Sequence, residues 1–211
     1  MDVQRITDGL WRWTAPHPDW REGGTGASDW PQEVGCVYAE LDDATLLVDP
    51  LVPAAGSDDE RRFLDALDRD VERRGAPVVL LQTIHWHVRS SALLRARYAP
   101  SEHLPSGVEA IAIGDPHEEI AYYLRPYHAL VVGDILLGAD AHGGPAGELR
   151  VCPASWFAMV DGGEQWYRDC VQDALRPLHS LPADVVLVGH GSPALEHGAR
   201  ELARAIELVE R

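Results

Sequence analysis

The order of the apolar segments is the feature that most constrains what this chain can fold into. Short segments rich in β-branched and aromatic residues occur in two groups, and amphipathic segments with helical spacing follow each group. A helix or strand with one apolar face must bury that face against another element. The order therefore predicts an α/β fold in which two sheets pack face to face, with helices outside them.

The first group occupies the amino-terminal half of the chain. Residues 36–50 are predicted to form two short strands, and an amphipathic helix is predicted to begin at Ser57 and to stop at Gly75. Residues 77–84 are an apolar, β-branched run typical of a buried strand. The loop HWHVRS and the predicted helix SALLRARY follow, so this part of the chain is a strand, loop and helix unit.

The second group occupies the carboxyl-terminal half. Its predicted elements are strands at 108–114, 119–124, 128–137 and 182–191 and helices at 163–181 and 192–211. The terminal helix is predicted to start at once after its strand, because Ser192 is a typical N-cap and Pro193 suits the first helical position. Both halves thus supply strands and helices for a layered fold.

Composition and charge narrow the classes of function. With 211 residues and no break in composition, the chain is expected to form one domain over residues 1–211. Its formal net charge of -16 would repel a phosphate backbone, so no nucleic-acid partner is expected. No stretch approaches the roughly 20 apolar residues that span a bilayer, and the first residues lack the pattern of a signal peptide. A cytoplasmic protein without a membrane partner is therefore expected.

Histidines and aspartates lie just beyond the ends of predicted strands, at His85, His87, Asp115, Asp134 and His190. Strand ends in α/β folds gather side chains from distant parts of the chain into one crevice. Two histidines separated by one residue on an extended segment point to the same side, roughly 6 to 7 Å apart, and both can reach one metal ion. The pattern indicates a metal site, with ordinary hydrogen-bonded histidines as the alternative.

Four motifs resemble the metallo-β-lactamase fold superfamily in their order and spacing: LLVDP, TIHWHVRSSALLRARY, GDILLG and VLVGHG. In that superfamily a buried strand ends in an HxHxDH loop that precedes a helix, and later strand ends supply further ligands. The resemblance covers nearly the whole chain and implies a four-layer αββα sandwich. It also implies that His85 and His87 are the first two metal ligands, that Asp134 is the bridging carboxylate, and that His190 is the last histidine.

The chain departs from the superfamily pattern at three positions. Arg89 stands where the motif has its aspartate, and Ser90 stands where it has its third histidine. Asp115 occupies the place of another ligand, with His117 as the alternative two residues later. Arginine cannot lose its proton, so a second metal ion beside it is strongly disfavoured. We expect Arg89 to take the place of that ion and to form an ion pair with Asp134.

Two functions are compatible with such a site. In the first, one divalent ion (zinc, iron or manganese) is held by His85, His87, Asp115, Asp134 and His190. The protein would then hydrolyse a small ester, thioester or phosphoester, with Asp134 and Arg89 as catalytic residues. In the second, no metal binds, and the protein is a non-catalytic pseudoenzyme whose crevice holds a small anionic ligand. A small, anionic molecule is the expected partner in both.

Five tryptophans have two interpretations. Trp11, Trp13, Trp20, Trp30 and Trp86 either form an aromatic wall over the crevice or pack as core residues. Packing is favoured for Trp11 and Trp13. Trp86 alternates away from the two histidines and is expected to pack beneath the site.

Overall fold

The computed structural model describes residues 1–209, apart from the side chain of Ala27. Its strands are β1 (Asp2–Thr7), β2 (Leu10–Pro16), β3 (Glu33–Leu41), β4 (Ala44–Val48), β5 (Val78–Leu81), β6 (Val108–Ala112), β7 (Ile120–Leu124), β8 (Ala129–Val132), β9 (Leu136–Gly138), β10 (Leu149–Val151) and β11 (Val185–Val188). Its α-helices are α1 (Asp58–Arg74), α2 (Ser91–Tyr98), α3 (Gly163–Ala174), α4 (Arg176–His179) and α5 (Gly198–Glu207). Within residues 1–209, no helix is long and apolar enough to cross a membrane.

The strands form two larger sheets and one short hairpin. The first sheet has the order β1-β2-β3-β4-β5, and all of its pairs are antiparallel except β4 with β5. The second has the order β11-β8-β7-β6, and only β11 with β8 is parallel. β9 and β10 pair separately. The two parallel pairs matter for function because the carboxyl ends of parallel strands lie at the same edge of a sheet.

Three apolar clusters separate four layers. The central cluster combines Leu46 and Val79 of the first sheet with Tyr122 and Leu187 of the second, so the two sheets pack face to face. A second cluster joins the other face of the first sheet to α1 and α2. The third joins the other face of the second sheet to the helices α3, α4 and α5. The predicted αββα sandwich is confirmed.

The bounds of α1 match the prediction because local signals set both ends. Ser57 Oγ accepts the N–H of Glu60 at 3.0 Å, which satisfies a donor of the first turn. Gly75 ends the helix with a left-handed φ of 59°, which costs glycine little. Ends fixed by a few neighbouring residues can be read from the sequence.

Several predicted elements have different bounds in the structure. The strand predicted at 77–84 ends at Leu81, and the next residues form turns rather than an extended segment. The strand predicted at 128–137 is two strands, and the helix predicted at 163–181 breaks after Ala174 into two helices, the second with a proline in its first turn. The terminal helix begins at Gly198, because Ser192 does not act as its cap: its hydroxyl donates to Asp140 Oδ2 at 2.6 Å and its N–H donates to Asp140 Oδ1 at 2.7 Å.

Candidate metal centre

Strand ends from both sheets meet at one edge of the sandwich. Asp49 follows β4, His87 lies in the turns after β5, Asp134 follows β8, and His190 follows β11. β4 and β5 run parallel, as do β8 and β11, so each pair delivers its following loops to one edge. The N–H of Gly35 donates to the carbonyl of Gly189 at 2.7 Å and ties the two sheets together there.

The centre of the site is the carboxylate of Asp134. Its Oδ1 lies 3.2 Å from His87 Nε2 and 3.4 Å from His190 Nε2. Neither contact has hydrogen-bond geometry, so Oδ1 is buried without a hydrogen-bond donor. Its Oδ2 accepts the indole N–H of Trp86 at 2.9 Å, which fixes the orientation of the carboxylate. The potential ligand atoms of the three residues all lie within 4.8 Å of one another.

Asp49 holds His87 from the opposite side. Its Oδ2 lies 2.8 Å from His87 Nδ1 and accepts the hydroxyl of Thr83 at 2.5 Å, and its Oδ1 accepts the Thr83 N–H at 2.8 Å. Both Asp49 and His87 are buried. A carboxylate on one ring nitrogen fixes the tautomer and presents the other nitrogen to a metal. His87 Nε2 is therefore the nitrogen that faces Asp134.

Burial and neighbouring charges have opposite effects on the pKa values in this cluster. Burial lowers the pKa of His87, but the carboxylates of Asp134 and Asp49 outweigh it and raise that pKa to about 9. Burial likewise raises the pKa of Asp134, and the facing His87 and His190 bring it well below the usual value of an aspartate. For His190, burial dominates and lowers the pKa. Asp134 is therefore ionised and available as a ligand.

Glu119 binds the backbone around Asp134, and no sequence pattern predicted this role. Its side chain is only 1% exposed, and its Oε1 accepts the N–H of Gly133 at 2.9 Å. Its Oε2 accepts the N–H of Asp134 at 3.0 Å and that of Ile135 at 2.9 Å. Burial, and then the charges of Asp134 and Asp115, raise the pKa of Glu119 well above its usual value. We call these three hydrogen bonds the Glu119 clamp. The clamp is the reason that the predicted strand at 128–137 breaks in two.

The arrangement of His87, Asp134 and His190 fits a single metal ion. Ligand atoms roughly 2.0 to 2.1 Å from a tetrahedral ion lie roughly 3.3 to 3.4 Å from each other. The two distances from Asp134 Oδ1, 3.2 and 3.4 Å, are close to this value. Since this buried oxygen accepts no hydrogen bond, its lone pairs are available to an ion. Among the described residues, this is the one group of three or more potential ligands that is this compact.

The structure does not bring His85 or Asp115 into this group. The extended segment expected at residues 85–87 is wrong, because these residues form turns, and His85 is exposed with its ring 4.6 Å from that of Trp86. Asp115 is buried, but its Oδ1 accepts the N–H of Glu119 at 2.7 Å and its Oδ2 that of His117 at 3.2 Å. Metal ligation by these two residues stays a prediction.

The ion pair expected between Arg89 and Asp134 is absent from the described residues. Arg89 Nη1 instead donates to the carbonyl of Gly35 at 2.8 Å and to that of Asp49 at 2.7 Å. The reason is that Trp86 and the two histidines already surround Asp134. Ser90 Oγ accepts the N–H of Val52 at 2.8 Å, so its side chain is hydrogen-bonded to the backbone.

A cavity of about 280 Å³ opens beside the cluster. Its walls include Trp30, Trp86, Trp156 and Phe157, so two of the tryptophans considered in the sequence face the site. Trp86 lies in this wall and not beneath the site, because turns replace the alternation of a strand. Trp13 is a core residue, as predicted. Trp156 and Phe157 come from a short 3₁₀ helix, Ala154–Met159, that the sequence pattern did not predict.

Comparison with known proteins identifies the fold. The chain superposes on a crystal structure of VMB-1 with a TM-score of 0.58 and 11% identity, over 97% of both chains. It also matches the metallo-β-lactamase from Erythrobacter litoralis, with a TM-score of 0.56 and 14% identity over 98% of this chain and 90% of that one. The chain has the metallo-β-lactamase fold. DIM-1 metallo-β-lactamase matches 98% of it, with a TM-score of 0.53 and 11% identity over 96% of that chain.

Beyond the four motifs, similarity to the metallo-β-lactamase fold lies in the structure rather than in the sequence. No protein-family model matches the sequence, and no curated protein matches it either. At identities of 11 to 14%, these superpositions show a shared fold alone. What the site of this chain does must be argued from its own residues.

Proposed function

We propose that this protein is a hydrolase that uses one divalent metal ion held by His87, Asp134 and His190. The observation that supports the proposal is the buried Asp134 Oδ1, which has two imidazole nitrogens at 3.2 and 3.4 Å and no hydrogen bond. Two histidines and a carboxylate suit zinc, iron or manganese. When bound, such an ion polarises the scissile bond and lowers the pKa of a water toward about 7.

The chain's own residues would prepare this chemistry. Asp49 keeps a proton on His87 Nδ1, so Nε2 is the nitrogen that would bind the ion in place of its own proton. Trp86 fixes the second oxygen of Asp134 and leaves one oxygen for ligation. Arg89 lines the same cavity and carries a positive charge that would hold an anionic group of the substrate.

A single ion is proposed because the residues for a second one are missing. Arg89 donates to two carbonyls where the superfamily motif has a metal-binding aspartate. Ser90 accepts a backbone N–H where the motif has a histidine. A second dication would lie beside the guanidinium, at a strong electrostatic cost.

The test is the metal content of protein purified without chelator. We expect about one equivalent by elemental mass spectrometry, and a loss of most of it in His87→Ala and in His190→Ala. His103→Ala removes an exposed histidine outside the cavity and should leave the metal content unchanged. Activity on small ester and thioester substrates should fall with the metal. A protein that stays free of metal after incubation with zinc, manganese and iron would contradict the proposal.

One observation favours a second function, ligand binding without catalysis. His87 lies between the carboxylates of Asp49 and Asp134, and its pKa rises to about 9. A protonated His87 would neutralise part of the cluster without any ion. Under this function, Arg89→Asp combined with Ser90→His would increase metal uptake over the parent protein.

A further inference from the structure

Polar atoms without partners are concentrated around the cavity beside the cluster. Among the described residues, nine buried side-chain nitrogen or oxygen atoms have no hydrogen-bond partner. Five of these belong to residues that line the cavity: Arg89 Nε, His117 Nε2, Asp134 Oδ1, Trp156 Nε1 and His190 Nδ1. Native proteins leave few buried polar atoms unpaired. Their concentration around one cavity favours that cavity as a binding site.

Arg89 is the one arginine among the described residues that line this cavity, and it forms no ion pair within 4.0 Å. Its Nη1 donates to the carbonyls of Gly35 and Asp49, while its Nε has no acceptor and no carboxylate oxygen of the described residues lies within 4.0 Å. Neutral carbonyls orient a guanidinium without neutralising it. The backbone of Arg89 has a left-handed φ of 40°, which non-glycine residues adopt rarely. The chain thus keeps a guanidinium without an ion-pair partner at the cavity, on a residue with a rarely adopted backbone conformation.

Aromatic rings form another part of the wall. The ring of His190 lies between Trp30 and Trp156, with centroid distances of 5.6 Å to both. The ring of His117 stacks on Phe157 with a centroid distance of 4.7 Å and an interplanar angle of 29°. Flat apolar groups pack favourably against such rings. This wall favours a ligand with a ring.

The charge of the wall limits the charge of the ligand. Asp19, Asp115, Glu119 and Asp134 also line the cavity, and the whole chain has a formal net charge of -16. A dianionic phosphoester would meet one guanidinium and several carboxylates. A single carboxylate fits the fork of one arginine and carries less charge to repel.

We propose that the cavity binds a small aromatic carboxylate, with the carboxylate on Arg89 and the ring against the wall of Trp30, Trp156 and Phe157. The substrate of the proposed hydrolase would then be an ester or thioester that carries such a group, and this second step rests on the proposed function. Binding of the carboxylate itself needs no metal. The two ideas can therefore fail separately.

The experiment measures binding by calorimetry to the full chain after chelator treatment. The probes are phenylacetate, acetate, 2-phenylethanol and phenyl phosphate, and phenylacetate should bind tightest. Arg89→Asn, in which asparagine tolerates the left-handed backbone, should weaken phenylacetate binding about ten- to a hundredfold and leave 2-phenylethanol unchanged. Arg95→Asn, which removes an exposed arginine outside the cavity, is the matched control.

Several outcomes would overturn the inference. Equal binding of phenylacetate and 2-phenylethanol would remove the role of the carboxylate, and this comparison needs no variant if Arg89→Asn fails to fold. Equal binding of acetate would remove the role of the ring, and tighter binding of phenyl phosphate would reverse the charge argument. Phenylacetate binding without hydrolysis of any ester would keep this inference and refute the proposed function.

Discussion

The role of Asp49 gives the sharpest test of how the site is built. Asp49→Asn keeps the size of the side chain but replaces one acceptor oxygen with an N–H₂ donor. The carboxylate of Asp49 now accepts from Thr83 N, Thr83 Oγ1 and His87 Nδ1. In one orientation the N–H₂ group of the amide faces the N–H of Thr83, and in the other it faces Thr83 Oγ1 and His87 Nδ1. Either way a donor meets a donor. If it faces His87, Nδ1 must become the acceptor, and the proton moves to Nε2, the nitrogen proposed as the metal ligand.

The size of the effect follows from this change of tautomer. Loss of a group that orients a metal-binding histidine typically weakens metal binding about 10- to 100-fold, which is about 1.4 to 2.7 kcal/mol. Asp49 and His87 are 3% and 5% exposed, so water cannot easily replace the lost partner. The expected loss lies toward the upper end of that range.

The assay is a zinc titration in competition with a chromophoric chelator at neutral pH, with circular dichroism to confirm folding. Asp115→Asn is the matched control, because Asp115 is also a buried carboxylate that accepts backbone N–H groups but does not contact His87. Zinc affinity should fall in Asp49→Asn and stay near the parent value in Asp115→Asn. An Asp49→Asn protein that binds zinc as well as the parent would refute the reasoning. A large loss in Asp115→Asn would show that Asp115 also supports the site, either as a ligand or through the N–H of Glu119 that it accepts.

Three further predictions concern stability. Ser57→Ala removes the cap on the N–H of Glu60 and should lower the free energy of unfolding, measured by urea denaturation, by about 1 kcal/mol. Ser57→Thr keeps a hydroxyl and should lower this free energy less. Leu46→Ala leaves a hole between the sheets and should cost about 2 to 5 kcal/mol by the same measurement, and a cost below this range would contradict the face-to-face packing. Glu119→Gln places an amide donor against the N–H groups of residues 133–135, so both the melting temperature and zinc affinity should fall; unchanged values of both would refute the clamp.

The predicted site residues divide according to what fixes their positions. Asp134 and His190 follow the parallel pair β8 and β11, so the strand pattern was enough to bring them together. His85 was misplaced because its position depends on turns after β5, which no periodicity reports. Glu119 was missed because a glutamate at the start of a predicted strand gives no sign that three backbone N–H groups will surround it.

The sequence by itself determined the layers of this protein, the bounds of α1 and the edge at which its polar side chains gather. These depend on local periodicity, on caps such as Ser57 and on the order of strands, all of which are properties of short segments. Only the tertiary structure decided that Arg89 donates to backbone carbonyls rather than to Asp134, and that Trp156 closes the cavity. Such partners come from segments far apart in the chain, and their choice depends on the competition for each buried polar atom that folding resolves.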